Sequence, residues 1–225
     1  MNATLEAGID VQYIESQYKD FILNGQHPCI MAKAMFKMNK HHLKVYEDMK
    51  DSDNLKALIA DLNQYISQYD FEGSAFESFL AVFPNNHFTD EISFENKLWD
   101  TLQRLHELDQ CEWDQKVSDD PDNPYFSFSL NGRAFYIIGM HPASSRMARQ
   151  TPYTTIVFNL HSQFDKLREI GTYQKVRDTI RKNDEDLQGS INPVLKDFGA
   201  DSETKQYSGR KVEDHWKCPF YKKQN

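Results

Sequence analysis

Residues 125–140 read YFSFSLNGRAFYIIGM, and residues 154–160 read TTIVFNL. In the first stretch two apolar runs, 125–130 and 133–140, flank Asn131-Gly132. An Asn-Gly pair between such runs is the strongest short-range signal for a β-hairpin. The second stretch is rich in β-branched residues and predicts a further strand. Because a tight turn joins only antiparallel strands, the sequence predicts a mainly antiparallel sheet.

Helical periodicity surrounds these strands. The predicted helices cover residues 9–23, 54–69 with Asp53 as the cap, 94–109 beginning at Ser93, and a stretch from Ser162 past Gly171 toward Lys182 that bends at the glycine. The run 78–84 predicts a strand, whereas 30–38 fits a helix or a strand. This order predicts an α+β fold, with a mainly antiparallel sheet flanked by helices, in a single domain over residues 1–225.

Composition limits the class of protein. The 225 residues include 15 Phe, 11 Tyr and 3 Trp, enough for an aromatic core that suits a planar cofactor. The net charge of −8 argues against non-specific nucleic-acid binding, which needs a cationic surface. Three widely spaced cysteines predict no disulfide framework. No membrane span or signal peptide is visible, so we expect no membrane association and a cytoplasmic location.

The densest polar cluster is HPASSRMAR, residues 141–149, directly after a predicted strand. His141 is of the residue type that ligates metals. Guanidinium groups form paired hydrogen bonds with carboxylates and phosphates, so the cluster is suited to hold an anion. Its anion-binding candidates are Ser144, Ser145, Arg146 and Arg149. The plainer interpretation, which the residues alone favour, is that His141 ends a strand and that the arginines are solvated.

A second cluster, NLHSQF at 159–164, marks a change from strand to helix. His161 would lie near a helix N-terminus, where the dipole disfavours imidazolium and leaves a neutral ring that can ligate a metal. The plainer interpretation is a capping turn with Asn159 or Ser162 as the cap. If the strands before His141 and His161 are an antiparallel pair, the two histidines lie at opposite ends of the sheet.

Other candidates carry weaker signals. Cys218, in WKCPF at 216–220, is of the residue type that supplies a thiolate to haem iron, although a buried thiol beside aromatic residues is more common. His41-His42, His87 and His106 have no partner at metal-ligand spacing, which predicts surface or helix-face positions. The sequence has no Rossmann fingerprint, P-loop, zincin motif or c-type haem attachment motif.

Motifs along nearly the whole chain, from about residue 25 to 220, resemble the YqcI/YcgG family. The most specific is GMHPASSRMARQTPYTTIVFNLHSQFDKLR, residues 139–168. The others are PCI with AKA at 28–34, FE with LW at 94–99, LQRLH at 102–106, WD at 113–114, FSFSL at 126–130, INP at 191–193, FG at 198–199, SE at 202–203, QYSGR at 206–210 and WKCPF.

The resemblance implies a haem-dependent oxygenase that N-hydroxylates a small guanidine or amine. Characterised members are of this kind, among them the arginine hydroxylase of cycloserine biosynthesis and the guanidino hydroxylase of guanitoxin biosynthesis. It implies haem b, dioxygen, and an electron-donor protein or reductant. It also implies a histidine axial ligand, with His141 the first choice, His161 the second, and Cys218 the thiolate alternative.

Further residue roles follow from the same resemblance. Arg146 and Arg149, beside Ser144, would pair with the haem propionates, and Arg168 and Arg210 are weaker candidates. His161 and Ser145 are the expected catalytic residues. A cationic substrate would need a carboxylate, for which the candidates are Glu72, Glu77 and Glu203.

Two positions depart from the family pattern, and several alternatives stay open. Gln150-Thr151 replaces an expected arginine and aromatic residue, and His27 replaces an expected phenylalanine. The same scaffold could serve aldoxime or peroxide chemistry, or act as a haem sensor or carrier. A haem-free protein that binds an anion at the Ser/His/Arg loop is the third alternative. A homodimer is one option for the oligomeric state.

Overall fold

The computed structural model describes residues 10–73 and 75–222. Its five strands are β1 His41–Val45, β2 Ser78–Phe83, β3 Phe128–Leu130, β4 Arg133–Met140 and β5 Thr154–Leu160. They form one sheet in the order β1-β2-β5-β4-β3. β1 is parallel to β2, and the other neighbours are antiparallel. The predicted α+β fold with a mainly antiparallel sheet is therefore confirmed.

Seven α-helices accompany the sheet within the described residues. They are α1 Val11–Lys19, which continues into a π-helical turn at Asp20–Asn24, α2 Ile30–Lys37, α3 Ser52–Gln68, α4 Glu91–Leu108, α5 His161–Glu169, α6 Tyr173–Gln188 and α7 Thr204–Tyr207. Aspartates cap α1, α3 and α4, because each carboxylate accepts hydrogen bonds from first-turn N–H groups. The cap of α3 is Asp51 and not the predicted Asp53, and α4 begins at Glu91 after its cap Asp90, two residues before the predicted start at Ser93.

The hairpin that the sequence predicts is present. Asn131 and Gly132 have φ angles of 53° and 70°, as a tight two-residue turn requires. The strand before it, β3, begins at Phe128, so the predicted strand 125–130 is too long. Residues 125–127 precede the ladder, and Ser127 instead lies within hydrogen-bond distance of Phe135 O and Glu203.

Three local predictions were wrong for identifiable reasons. His41 and His42 lie on β1, a short polar edge strand that has no apolar run to reveal it. Gly171 does not bend one long helix but separates α5 from α6, since its φ of 68° is left-handed and ends a helix. Neither Asn159 nor Ser162 caps α5, whose first turn has no side-chain cap.

The sheet buries both faces under different elements. On one face Phe79, Phe135 and Phe158 pack with the apolar sides of α3 and α4 and with Phe220 of the C-terminal segment. On the other face Leu80, Val82, Met140 and Val157 pack against α1 and α2. All seven residues of β5 are buried, because this strand is central and covered on both faces.

Gly139 allows α4 to lie close against β4. An ideal Cβ at this position would stand 2.8 Å from Phe94 Cζ and 2.9 Å from a Leu98 methyl carbon. Both neighbouring side chains are fully buried and have little room to move. The missing side chain therefore sets the distance between the helix and the sheet.

We expect Gly139→Ala to lower the free energy of unfolding by about 1–3 kcal/mol, the usual cost of overpacking a dense core. Urea denaturation of the wild type and the variant measures this loss. Combining the change with Phe94→Leu should recover part of it, because a smaller side chain makes room for the methyl group. Strict additivity of the two substitutions would contradict the contact.

Candidate functional site

A cavity of about 310 Å³ lies on the α1/α2 face of the sheet. Its size is within the range of small-molecule sites. The sheet contributes alternate residues of three strands, namely Ser78, Leu80, Tyr136, Ile138, Met140, Val157 and Asn159. Helices α2, α5 and α6 and the segment 192–198 complete walls that are mostly apolar. The polar pair Ser78 and Asn159 is satisfied internally, by a hydrogen bond of 2.6 Å.

His141 and His161 lie at opposite ends of the sheet and on opposite faces. Antiparallel pairing sets Met140 beside Thr155 and Phe135 beside Leu160, so the residues after β4 and β5 are far apart, as predicted for this arrangement. Strand residues alternate between faces. His141 shares the face of Gly139, its ring stacks on Phe94 with centroids 4.3 Å apart, and it is not among the residues that line the cavity.

His161 lines the cavity as the first residue of α5. Its Nδ1 lies 3.4 Å from Asp165 Oδ2, one helical turn later, and its ring rests on Phe198 with centroids 4.4 Å apart. Within the part of the chain that the structure describes, no hydrogen bond involves its Nε2. A ring with Nδ1 near a carboxylate and Nε2 unengaged resembles metal-ligating histidines whose second nitrogen donates to a carboxylate.

His27 also lines the cavity but is held differently. Its Nδ1 accepts a hydrogen bond from Cys29 N–H at 3.3 Å, and its ring packs edge-on against Phe21. Burial lowers its pKa to about 4, against a smaller opposing effect from the backbone of Ala148. His27 is therefore a neutral wall residue whose Nδ1 lone pair is already engaged.

Arg149 is a buried cation without a carboxylate partner among the described residues. Its Nη1 donates to Gly139 O at 2.8 Å and Tyr207 O at 3.4 Å, and its Nη2 donates to Gln206 O at 3.3 Å. Burial lowers its pKa, but a guanidinium starts so high that it stays charged. Because it also lines the cavity, this group can pair with an anion there.

Arg146 lines the cavity too, but its charge is already neutralised. Its Nη2 lies 2.6 Å from Asp184 Oδ2 and also donates to Ser190 O at 2.7 Å. This buried pair ties the loop after β4 to α6. The sequence grouped the two arginines together, whereas the structure gives them different roles.

Glu203 is a carboxyl group on the cavity wall whose pKa is shifted by its surroundings. Its side chain is buried, and Oε1 accepts hydrogen bonds from the hydroxyls of Ser127 and Tyr207, each at 2.7 Å. Burial raises its pKa to about 7, although these hydrogen bonds and the nearby His161 act in the opposite direction. Of the three predicted carboxylates, Glu72 and Glu77 are not among the residues that line the cavity.

The sequence profile of the YqcI/YcgG family matches residues 18–221. This chain belongs to the YqcI/YcgG family. It is 27% identical over 213 residues to the uncharacterized protein YqcI of Bacillus subtilis (strain 168), covering 89% of this chain and 83% of that protein. It is 24% identical over 207 residues to the uncharacterized protein YcgG of the same strain, covering 86% and 80%. No solved structure matches significantly.

Several residues predicted from the YqcI/YcgG resemblance do not line the cavity. Ser145 is exposed and donates to Glu91, and the buried Ser144 accepts from Arg146 N–H in its own loop. Arg210 lies 2.6 Å from Glu95 in a buried pair beside α4. A ligand in this cavity therefore cannot touch these side chains, which instead hold loops and the C-terminal segment in place.

Two further predicted residues have different outcomes in this YqcI/YcgG protein. Cys218 packs at the edge of the α3/α4 core and not in the cavity, and burial raises the pKa of its thiol to about 12, which disfavours a thiolate. Arg168 does line the cavity, where it pairs with Asp165 at 2.8 Å and lies over the Tyr173 ring. Arg168 is therefore close to the group that orients His161.

Two kinds of feature are absent from the described residues of this YqcI/YcgG protein. Over residues 10–73 and 75–222, no group of three or more His, Cys, Asp or Glu side chains could hold a metal ion. A haem iron needs only one or two axial ligands from the protein. In the same part of the chain, no helix has the length and apolar character needed to cross a bilayer.

His141 should make the protein sensitive to acid. Both of its ring nitrogens are buried without a hydrogen-bond partner in the described residues, and burial lowers its pKa below 6.5. In acid the unfolded chain binds a proton at His141 more readily than the folded chain does. The free energy of unfolding therefore falls as pH drops below about 6.5. We expect His141→Phe to remove this loss, at most about 1.4 kcal/mol per pH unit. Urea denaturation at about pH 5 and about pH 8 measures it, and identical pH dependence in both proteins would contradict the burial argument.

Glu203 should make the protein less stable as pH rises, which is the opposite of the effect expected for His141. Because its folded pKa is raised, wild-type stability falls as pH rises from about 4.5 to about 7. The isosteric Glu203→Gln has no charge, so its free energy of unfolding should exceed that of the wild type by up to about 3 kcal/mol above this range. Glu213→Gln is the control of opposite sign, since the hydrogen bond with Arg210 lowers the pKa of Glu213. A Glu203→Gln protein without this gain would show that burial does not penalise the carboxylate.

Proposed function

We propose that this chain is a haem-dependent N-hydroxylase that acts on a small guanidine or amine. The reaction class comes from the family resemblance, and the chain's membership of the YqcI/YcgG family supports it. The observation that carries the proposal is the position of His161, an imidazole on an apolar cavity wall with Nδ1 toward a carboxylate and Nε2 unengaged. Such a donor fits the axial position of a haem iron.

The other donors of the cavity also fit haem b. The propionates of haem need cations or hydrogen-bond donors, and Arg149 is a buried cation whose hydrogen bonds within the described residues go to backbone carbonyls. Arg168, beside Asp165, is a second cation on the cavity wall. Apolar side chains from the sheet, α2 and α6 would cover the faces of the ring and exclude bulk water. We therefore assign the iron to His161 and one propionate to Arg149.

This assignment changes the first choice made from sequence. For a haem in this cavity, His141 is on the wrong face of the sheet, and Cys218 is on that same far side. Arg146 would support the site indirectly, because Asp184 already neutralises its charge. His161 would therefore hold the iron, and Ser145, which does not line the cavity, would have no part in binding the group.

During turnover the residues of this chain would bind the haem, orient His161 and shield the substrate nitrogen from water. Asp165 would accept a hydrogen bond from the Nδ1–H group of His161 and so favour the tautomer that leaves the Nε2 lone pair available. When bound, haem would supply activation of dioxygen with electrons from an external donor. Overall, dioxygen, two electrons and two protons convert a substrate N–H to N–OH and release water. Apolar walls would keep bulk water from the reacting nitrogen.

A second candidate function, a haem-free anion-binding protein, has one observation in its favour. An unpaired, buried guanidinium such as Arg149 is costly unless an anion or solvent compensates it. That requirement holds whether the anion is a haem propionate or another carboxylate or phosphate. Haem reconstitution separates the two candidates.

We expect purified protein supplied with haem to show a Soret band, with a ferrous–CO band typical of histidine ligation. His161→Ala should lose the band or its axial signature, and added imidazole should restore it by occupying the vacated position. His141→Phe is the matched control and should retain the wild-type spectrum, because its ring lies outside the cavity. Loss of haem from His141→Phe but not from His161→Ala would overturn the assignment, and no Soret band in any sample would remove the haem.

A further inference from the structure

The carboxyl groups of the cavity wall differ in how their charges are compensated. The described residues place three there, Asp184, Asp197 and Glu203. Asp184 pairs with Arg146 at 2.6 Å, and Asp197 pairs with both Arg177 and Arg181. The two aspartates are therefore neutralised within the protein and hold α6 in place over the cavity.

Glu203 has no cationic partner of this kind. Both of its hydrogen bonds come from neutral hydroxyls and converge on Oε1, while Oε2 makes none with the described residues. The Tyr207 hydroxyl also accepts from Phe128 N–H at 3.1 Å, so its single hydrogen is directed at Glu203. These contacts fix the carboxyl group in one orientation and leave one oxygen available on a cavity-lining side chain.

The cations of the wall show the complementary pattern. Arg146, Arg168, Arg177 and Arg181 all have carboxylate partners. Arg149 has none, and Lys196 is exposed at the edge of the cavity. Within the described part of the chain, the buried wall thus presents one uncompensated cation and one uncompensated carboxyl group. No ion pair joins Arg149 to Glu203, so each is available to a ligand group of opposite charge.

We propose that Glu203 is the specificity-determining residue that binds the cationic nitrogen, guanidinium or ammonium, of the substrate. This inference rests on the proposed function, in which Arg149 serves an anionic group and a cation is the remaining requirement. Buried charged groups are stable only when they are paired. A cationic ligand on Oε2 satisfies that condition for Glu203 without disturbing the hydrogen bonds to Oε1.

The electrostatic setting favours the same role. Burial raises the pKa of Glu203 to about 7, so near neutral pH the group is only partly ionised in the empty cavity. An adjacent cation stabilises the carboxylate and lowers that pKa. A neutral ligand of the same shape gains nothing from this coupling. Glu203 would therefore separate cationic nitrogens from their uncharged analogues.

Equilibrium binding tests the inference directly. Isothermal titration of L-arginine, L-lysine, agmatine and putrescine into haem-free and haem-loaded protein gives affinities that do not depend on turnover. We expect at least one of these cations to bind. Glu203→Gln should weaken that binding roughly ten- to a hundredfold, the effect of one lost charge-assisted hydrogen bond. N-butylurea, an uncharged urea that has neither a guanidinium nor an ammonium group, should not respond to the substitution.

Matched variants make the outcomes decisive. Glu203→Gln keeps an oxygen acceptor for both hydroxyls, and a thermal melt checks that it folds. Glu203→Asp retains the charge and should recover part of the affinity. Glu77→Gln is the control, because Glu77 pairs with Lys40 and His42 outside the cavity, and it should bind like the wild type.

Failure of this inference differs from failure of the proposed function. Equal cation affinity in the wild type and folded Glu203→Gln, or no binding of any cation tested, overturns the role of Glu203 even if haem binds to His161. Absence of haem together with a Glu203-dependent cation affinity overturns the N-hydroxylase proposal but supports this site.

Discussion

The register of β5 against β2 and β4 is the constraint on which the rest of the structure depends. β5 is the central strand, and every one of its residues is buried. Because alternate residues face opposite sides, one register decides which residues build the aromatic core and which form the cavity wall. A shift by one residue would exchange Phe158 with Val157 and turn His161 away from the cavity. The core and the site are thus two consequences of the same pairing.

The two faces of the sheet are packed to different degrees. The α3/α4 face is filled with aromatic and aliphatic side chains, and Gly139 lets helix and sheet approach closely. The opposite face packs against α1 and α2, and it also carries the cavity that α2, α5 and α6 line. Within α6 the buried residue is Asp184, and Val176 and Ile180 face the cavity half-exposed. Helix α6 therefore lines the cavity rather than a packed core.

Charge compensation distinguishes structural groups from groups available to a ligand. Asp184 with Arg146, and Glu95 with Arg210, are buried pairs that connect distant segments of the chain. Removing one partner from such a pair leaves an uncompensated charge and is costly. Arg149 and Glu203 have no ionic partner among residues 10–73 and 75–222, although both line the same cavity. Their position, and not their residue type, makes them the strongest candidates for contacts with a ligand.

Local sequence patterns determined most of the secondary structure of this protein. The Asn-Gly turn, the strands at 133–140 and 154–160 and the amphipathic helices follow from short-range conformational preferences and apolar periodicity, which act over a few residues. β1 was missed because a short polar edge strand has no such pattern. The alternation of side chains along β4 and β5 also indicates the face on which each histidine lies. His141 is an even number of residues from Phe135 and so shares its face, and His161 shares the face of Val157 for the same reason.

Only the tertiary structure decided which polar residues share a site. The sequence clusters His141 with Ser144, Arg146 and Arg149 because they are neighbours along the chain. In the folded chain His141 lies on the core face of the sheet, and Arg146 pairs with Asp184 of α6. Arg149 lines the cavity together with His161 and Glu203, which come from later segments of the chain. Burial and pairing depend on contacts between residues far apart in the chain, and no local pattern encodes them.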